Sequence, residues 1–288
     1  MGRLKEWEEL TICDNFLFQK VMQNQRLCKR LIEKLLHIKV KHITYPESEK
    51  SIDVSATQKS VRLDLYVETD EGVILDIEMQ TTDSADSELP KRTRYYQSMI
   101  DLDVLGKGKD YEELKQSYVI FICTFDPFPG NDRKQYTFSY RCKEQEGLEL
   151  GDETTKMFLN AKGTVGEVDK DIDSFLAYVD GKAAEGKFTK DVATEVEKVK
   201  QHKETRVEYM TYLMEIKRQR KDAAEKAHAA GVEEGHAAGV EEGHAAGVEE
   251  TKIDSIRALM KTMKLTLQQA MDALEIPVSE REKYAALV

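Results

Sequence analysis

Apolar residues near the N-terminus recur at the spacing of one helix face. From Phe18 to Leu36 they follow a period close to 3.6, which predicts a single amphipathic helix with one buried side. Either Asp14 or Asn15 can cap the first turn of this helix, because both side chains can accept a hydrogen bond from a free backbone N–H. A buried helix is therefore expected at the start of the fold.

Two runs with a period of two follow and predict a β-hairpin. Val61–Glu68 and Val73–Gln80 both alternate in the way of half-buried strands, and Asp70-Glu71-Gly72 between them suits a tight turn. Residues 1 to about 180 therefore predict a mixed α/β fold. Three further elements complete this prediction: a helix from Pro90 to Leu105, a buried strand over Ser117–Phe125, and a strand over Tyr136–Tyr140 that could lie at an edge.

The C-terminal part of the chain carries helical patterns and an internal repeat. Residues 186–227 have a narrow apolar stripe among many charges, which predicts a long amphipathic helix interrupted near Lys203 and Arg206. The octapeptide His-Ala-Ala-Gly-Val-Glu-Glu-Gly then recurs over residues 228–250. Residues 251–288 predict a small helical tail in which Thr266 begins a helix. We therefore predict one main domain over residues 1–185.

The repeat places a histidine in each unit, at His228, His236 and His244. An eight-residue step along a helix advances by about 12 Å and rotates by about 80°, so these three side chains cannot converge on one metal ion. The frequent glycines also disfavour a stable helix. We interpret the repeat as a solvated spacer of weakly helical character.

Composition and charge exclude several classes of protein. The formal net charge of −11 argues against a general nucleic-acid binder, because such proteins neutralise phosphates with Lys and Arg. Any contact with DNA must then come from a local basic patch or through metal ions. The longest apolar run, Val119–Cys123, is too short to cross a membrane. The four cysteines form no Cys-x-x-Cys pair and the N-terminus has no signal core, so we expect reduced thiols in a cytoplasmic protein.

The predicted hairpin brings two carboxylates to one face of a sheet. A tight turn centred on Glu71 would place Asp64 opposite Glu78, with Gln80 on the same face two residues further along. A turn longer or shorter by one residue would shift this register. Neighbouring carboxylates repel unless a cation neutralises them, and Mg²⁺ prefers one or two carboxylates plus water and phosphate oxygens. The pattern therefore indicates a site for a divalent metal.

Asp64 together with Glu78-Met79-Gln80 resembles the Asp…(Asp/Glu)-x-Lys signature of the PD-(D/E)XK nucleases, with glutamine in the lysine position. Longer segments resemble one branch of that superfamily, the PD-(D/E)XK nuclease family transposases of bacteria, also called recombination-promoting nucleases. The resemblance covers residues 10 to 180. It is carried by Asp14–Val21, Ile77–Thr82, Lys91–Ser98, Tyr118–Phe128 and Phe158–Lys162.

This resemblance implies a restriction-endonuclease-like core, a mixed central sheet flanked by helices, with an extended helical C-terminal region. It also implies a DNA endonuclease that hydrolyses phosphodiester bonds and is associated with recombination, transposition or defence against foreign DNA. Asp64, Glu78 and the Met79 carbonyl would hold Mg²⁺, with Mn²⁺ as a substitute. Gln80 would occupy the third catalytic position, although it cannot supply the charge of a lysine. A catalytically weak or inactive protein that binds DNA or another protein is the alternative.

Further candidate residues lie on two helices. In the functional interpretation, residues of the helix after Pro90 reach the phosphate or the metal-bound water. Alternatively, Tyr95 or Tyr96 belongs to the core and Arg94 pairs with a surface carboxylate. Asp14 could be an additional acidic group or a plain helix cap. DNA is the expected partner, and the C-terminal helices could form a homodimer. The candidates for DNA or phosphate contact are Lys91, Arg92, Arg94, Tyr96 and Gln97.

Overall fold

The computed structural model describes residues 4–45, 50–52, 61–81 and 88–288 of the chain. It contains two compact units, Met1–Tyr212 and Leu213–Val288. The first unit extends beyond residue 185, the predicted end of the main domain. Among the described residues, no helix combines the length and the apolar character that a membrane span requires.

The N-terminal helical segment consists of two helices, so the prediction of a single helix is wrong. Helix α1 spans Asn15–Met22 and helix α2 spans Gln25–Leu36. The side chain of Asn24 between them accepts a hydrogen bond from the Leu27 backbone N–H and caps α2. In a continuous helix the Leu27 N–H would bond to a backbone carbonyl, so the Asn24 side chain could not cap it. The apolar periodicity continues across the break because both helices bury residues in the same core.

A mixed six-stranded sheet forms the centre of the first unit, in the order β1-β4-β5-β6-β8-β7. Strands β5, β6 and β8 are parallel, and the other pairings in this sheet are antiparallel. Strands β2 and β3 form a separate antiparallel pair. The strands are β1 (Ile43–Thr44), β2 (Lys50–Ile52), β3 (Val61–Leu63), β4 (Tyr66–Thr69), β5 (Ile74–Gln80), β6 (Ser117–Cys123), β7 (Gln135–Phe138) and β8 (Thr154–Asn160).

The predicted hairpin is present, but its first strand is interrupted. The run Val61–Glu68 is divided into β3 and β4 by Asp64 and Leu65, and β3 pairs with β2 instead of β5. Within the β4–β5 hairpin Tyr66 lies opposite Asp76, and the Ile77 N–H donates to the Leu65 carbonyl at 3.0 Å. This register is the one predicted from a turn centred on Glu71.

Helices cover both faces of the sheet. Helix α3 (Leu89–Val104) packs against β6 on the face that carries Ile74, Val119 and Phe121, while α1 packs against β5 on the other face. Strand β5 is buried on both faces, so the expectation of a half-buried strand is wrong there. Strand β7 lies at the sheet edge, as its sequence had suggested.

Two further helices of the first unit pack beside the N-terminal helix α2. Helices α4 (Lys170–Val179) and α5 (Gly186–Gln201) pack against each other and against α2. Helix α6 begins at Lys203, directly after an interruption at His202 that agrees with the predicted break. Near its start, Tyr209 contacts the rings of Trp7 and Phe16 with centroid separations of 5.6 and 5.1 Å.

The second unit is helical. Helix α6 extends over Lys203–Thr262 and includes the octapeptide repeat, whose three histidines are exposed. Thr266 caps α7 (Leu267–Ala273) through a reciprocal pair of hydrogen bonds with Gln269, as the predicted helix start required. Helix α8 (Val278–Leu287) completes a small core formed by Ile256, Ala270, Met271, Ile276 and Tyr284.

Candidate functional site

Two hydrogen bonds across the hairpin connect Asp64 with Glu78 and with the next residue, Met79. The Asp64 backbone N–H donates to Glu78 Oε1 at 2.7 Å, and the Met79 backbone N–H donates to Asp64 Oδ2 at 3.3 Å. The interruption between β3 and β4 makes this possible, because it frees the Asp64 N–H from the sheet ladder. The structure therefore brings together the two carboxylates that the sequence had paired.

A third carboxylate, Asp76, lies on the same strand and face as Glu78. Asp76 is completely buried, and no described residue donates a hydrogen bond to either of its side-chain oxygens. Burial, followed by the negative charge of Asp64, raises the pKa of Asp76 well above its usual range. Burial and the charges of Asp76 and Asp64 raise the pKa of Glu78 in the same way. A cation bound among these carboxyl groups would favour their charged forms, so the cluster suits a cation.

Arg92 supplies a positive charge at the edge of this cluster. Its guanidinium donates to Gln80 Oε1 at 2.9 Å, to Glu78 Oε2 at 3.4 Å and to the Tyr96 hydroxyl at 3.0 Å. It also lies over the rings of Tyr96 and Phe121, 5.3 and 5.0 Å from their centroids. Arg92 and Tyr96 are four residues apart on α3 and therefore share one helix face. Burial and the nearby Glu78 charge raise the pKa of Tyr96, so this phenol stays protonated.

Gln19 on α1 also contacts Asp64, and the sequence analysis did not single it out. Its side-chain amide donates to Asp64 Oδ1 at 3.4 Å, and the residue is buried. A pocket of about 200 Å³, lined in part by Asn15, Gln19 and Tyr212, opens onto Asp64. Gln19 lies within the segment Asp14–Val21 that carried the family resemblance, which was the available signal for its role.

The structure places four other candidates outside this network of contacts. Gln97 is buried and donates to Ser117 Oγ at 2.6 Å and to Asp101 Oδ1 at 2.9 Å. It faces away from Arg92 because five residues along a helix turn the side chain by about 140°.

Asp14 is the N-terminal cap residue of α1, accepts from the Thr11 N–H at 2.8 Å and pairs with Lys5 at 2.7 Å. Lys91 and Arg94 are exposed on α3.

The side chains around Asp64 suit a hard divalent cation. Across the described ranges, no three His, Cys, Asp or Glu side chains are arranged to enclose a metal on their own. Mg²⁺ does not need such a cage, because it commonly binds one or two carboxylates and completes its shell with water and phosphate oxygens. Asp64 and Glu78 match this requirement, and the unpartnered oxygens of Asp76 add negative charge directly behind them.

The family model described as PD-(D/E)XK nuclease family transposase matches residues 15–230. The chain belongs to this family. Its mixed sheet between helices is accordingly a restriction-endonuclease-like fold with a helical C-terminal region, and its function is of the nuclease type. Nucleases of this superfamily generally use divalent metals. No curated protein matches the chain, and no solved structure matches it either.

Proposed function

We propose that this protein is a Mg²⁺-dependent DNA endonuclease. Asp64, Glu78 and the Met79 carbonyl hold the cation, and Mn²⁺ can replace it. The bound metal lowers the pKa of a water molecule and stabilises charge on the scissile phosphate. The observation that supports this proposal best is the joined pair of Asp64 and Glu78, with the buried Asp76 carboxylate behind it. Such a cluster is costly without a cation.

Arg92 provides the positive charge that Gln80 lacks. Gln80 occupies the position of the lysine in the superfamily signature, and a glutamine side chain can only donate and accept hydrogen bonds. Here Gln80 holds the Arg92 guanidinium at 2.9 Å, so a cation stands beside the glutamine side chain. The two residues together can orient a water molecule through the Gln80 amide and stabilise phosphate charge through Arg92. Tyr96 keeps the guanidinium in position.

The exposed cations of α3 suit the DNA backbone. Lys91 and Arg94 lie on the same helix as Arg92 and face solvent, where each can contact a phosphate. The net charge of −11 opposes DNA binding over much of the surface, so this helix would fix where the strand approaches. An association with recombination, transposition or defence against foreign DNA, in a bacterial cytoplasm, follows from the family and belongs to this proposal.

Nicking of supercoiled plasmid tests the proposal. Purified protein with Mg²⁺ or Mn²⁺ should nick the plasmid, and EDTA should stop the reaction. Glu78→Gln and Asp64→Asn should abolish nicking, because each removes a charged metal ligand. Glu71→Gln, in the exposed turn of the same hairpin, is the matched control and should nick at the wild-type rate. Folded wild-type protein that nicks with neither metal would contradict the proposal.

A second candidate function is a nuclease fold that binds DNA or another protein without cleaving. The observation that favours it is that both oxygens of Glu78 already accept hydrogen bonds, from the Asp64 N–H and from Arg92. Position 80 also lacks a charge. Under this alternative, Asp64→Ala would leave DNA affinity intact or improved and no metal would produce nicked plasmid. Under the endonuclease proposal, the same variant loses cleavage.

We also propose that the C-terminal helices form a homodimer. Val207 and Met210 near the start of α6 are 64% and 44% exposed, which is unusual for apolar side chains on one helix face. Light scattering after size exclusion should give twice the chain mass for the wild type. Val207→Glu should give the mass of one chain, with Gln219→Glu, which makes the same change in net charge at an exposed position on another face of α6, as the control. One chain mass for the wild type over the micromolar range would contradict the dimer.

A further inference from the structure

A groove on the α3 face of the sheet combines aromatic rings with two cations. It has a volume of about 340 Å³ and lies between the start of α3 and the edge strand β7. One side is formed by α3 and the other by the ends of β7 and β8. The side chains that matter for its chemistry are Arg94, Phe128, Phe138, Tyr140, Lys156 and Phe158.

The floor of the groove is a rigid aromatic cluster. Phe128 lies 5.2 Å from Phe138 and 5.1 Å from Phe158, measured between ring centroids, and Phe138 lies 5.9 Å from Phe158. The contacts of Phe158 with Phe128 and Phe138 are edge-to-face, with interplanar angles of 85° and 84°. Rings held in this way keep a fixed orientation and leave part of their faces available.

Two of the rings remain open to solvent. Phe138 is 45% exposed and Tyr140 is 51% exposed, although both lie beside buried aromatic side chains. Large apolar side chains at an edge strand are a liability unless they bind something, because they invite aggregation. This pair is therefore a candidate binding surface.

The cations of the groove lie beside these exposed rings. Lys156 faces Phe138 across the β7–β8 pairing, and its ammonium lies 4.7 Å from the Tyr140 ring centroid. Burial lowers the pKa of Lys156, and the nearby charges of Asp152 and Asp101 oppose that shift. Neither Lys156 nor Arg94 forms an ion pair with any carboxylate among the residues that the structure describes. Both charges are thus available to an anion.

The groove is linked to the candidate active site through packed rings. Arg92 lies 5.0 Å from the Phe121 centroid, and Phe121 stacks on Phe158 at 5.8 Å. Arg94 is two residues from Arg92 on α3, so the two guanidinium groups leave the helix on different sides. Phe121 and Phe158 lie side by side on the sheet face that α3 covers, so a strand whose phosphate reaches Arg92 can extend along that face into the groove.

We propose that this groove binds an unpaired base of a DNA strand, which stacks on Phe138 and Tyr140 while Arg94 and Lys156 contact the neighbouring phosphates. Aromatic rings interleaved with cations are the general means of holding single-stranded nucleic acid, since every base offers a π-face. In a duplex those faces are covered by neighbouring bases, and exposing one costs several kcal/mol. The preferred substrate is then DNA with single-stranded segments, such as overhangs or unpaired junctions. This inference rests on the proposed DNA endonuclease function.

Binding in EDTA separates this inference from cleavage. Fluorescence anisotropy with a labelled single-stranded oligonucleotide, and with the duplex of the same sequence, should show tighter binding of the single strand. Tyr140→Ala and Phe138→Leu should each weaken single-strand binding by roughly 5- to 50-fold and change duplex binding by less than about twofold. Phe138→Trp should retain the affinity, since it keeps a ring.

Tyr111→Ala removes an aromatic ring that is 84% exposed outside the groove and should leave binding unchanged. Lys156→Gln should reduce the dependence of log K on log salt concentration by about 0.7. Equal affinity for the single strand and the duplex would overturn the inference, and so would unchanged single-strand binding by Tyr140→Ala. The Tyr140→Ala result decides the matter even if Phe138→Leu does not fold. If the wild-type protein bound the single strand as expected but did not nick plasmid with Mg²⁺ or Mn²⁺, only the endonuclease proposal would be overturned.

Discussion

The guanidinium of Arg92 donates a hydrogen bond of 2.9 Å to the side-chain oxygen of Gln80. The two residues are 12 positions apart and lie on different elements, a helix and a strand. Through this contact a cation stands beside the position at which the signature of the superfamily has lysine. The pair lies at the rim of a buried acidic cluster, where a fixed positive charge has the largest electrostatic effect.

Arg92→Gln should reduce the rate of plasmid nicking by about 10²-fold or more, because it removes a charge aimed at the phosphate. Gln80→Lys, introduced into the Arg92→Gln background, should recover a substantial part of the lost rate by restoring a cation at the same place. Single-turnover nicking assays with Mg²⁺ measure both variants. Lys107→Gln removes the charge of an exposed lysine beyond the C-terminal end of α3; it is the charge-matched control and should nick at the wild-type rate. Wild-type nicking by Arg92→Gln would remove Arg92 from the mechanism.

Divalent metal should stabilise the folded protein independently of catalysis. At a metal concentration 100 times the dissociation constant, the free energy of unfolding should rise by about 2.7 kcal/mol. Thermal melting after EDTA treatment, with and without Mn²⁺, should show an increase of about 5–10 °C in Tm. Glu78→Gln should lose this increase, whereas Glu71→Gln in the exposed turn should keep it. An equal increase in both variants would mean that the metal binds elsewhere.

Asp191 should make folding stability depend on pH below 4. Hydrogen bonds from Arg26, opposed by some burial, and then from Arg30 lower the pKa of this carboxyl and connect α5 to α2. A lowered pKa means that the stabilisation is complete above the unfolded pKa of about 3.9 and disappears as the pH falls through the folded value. Asp191→Asn should therefore lower Tm at pH 7 and approach the wild type under acid conditions.

Glu197→Gln, an exposed carboxylate on the same helix, is the control for this pH dependence. It should show little difference from the wild type at either pH. A deficit for Asp191→Asn that stays constant from pH 7 to pH 3 would contradict the linkage and indicate a packing effect instead.

The four cysteines should differ strongly in reactivity. Burial raises the pKa of the Cys28 thiol to about 12, and Cys123 is completely buried. Burial also raises the pKa of Cys13, whose thiol donates to the Val179 carbonyl. Cys142 is partly exposed and should react first with an alkylating reagent at pH 8. Mass spectrometry of peptides checks this order, and all four should react in guanidinium. Labelling of Cys28 as fast as Cys142 in native protein would contradict the buried environment.

Local sequence patterns predicted the β4–β5 hairpin, helix α3 and strand β6 of the first unit, but not the inner strand β8 or helix α4. The alternation over Val73–Gln80 and the turn at Gly72, whose φ is 80°, predicted the hairpin and its register. They could do so because side-chain direction in a strand has a period of two and a tight turn fixes the pairing. Thr266 likewise predicted the start of α7, and the structure adds Gln269 as its partner in a capping box.

Contacts between distant segments decided the rest. The interruption at Asp64 depends on β3 pairing with β2, and the break at Asn24 on a side-chain cap that competes with the helix. The alternation of the strand does not show that Asp76 is completely buried, because that burial depends on the packing of α3 against the sheet. Arg92 reaches Glu78 and Gln97 does not, because of the way α3 is rotated about its axis against the sheet. Such outcomes depend on which surfaces meet, and a one-dimensional pattern does not contain the free energy of that packing.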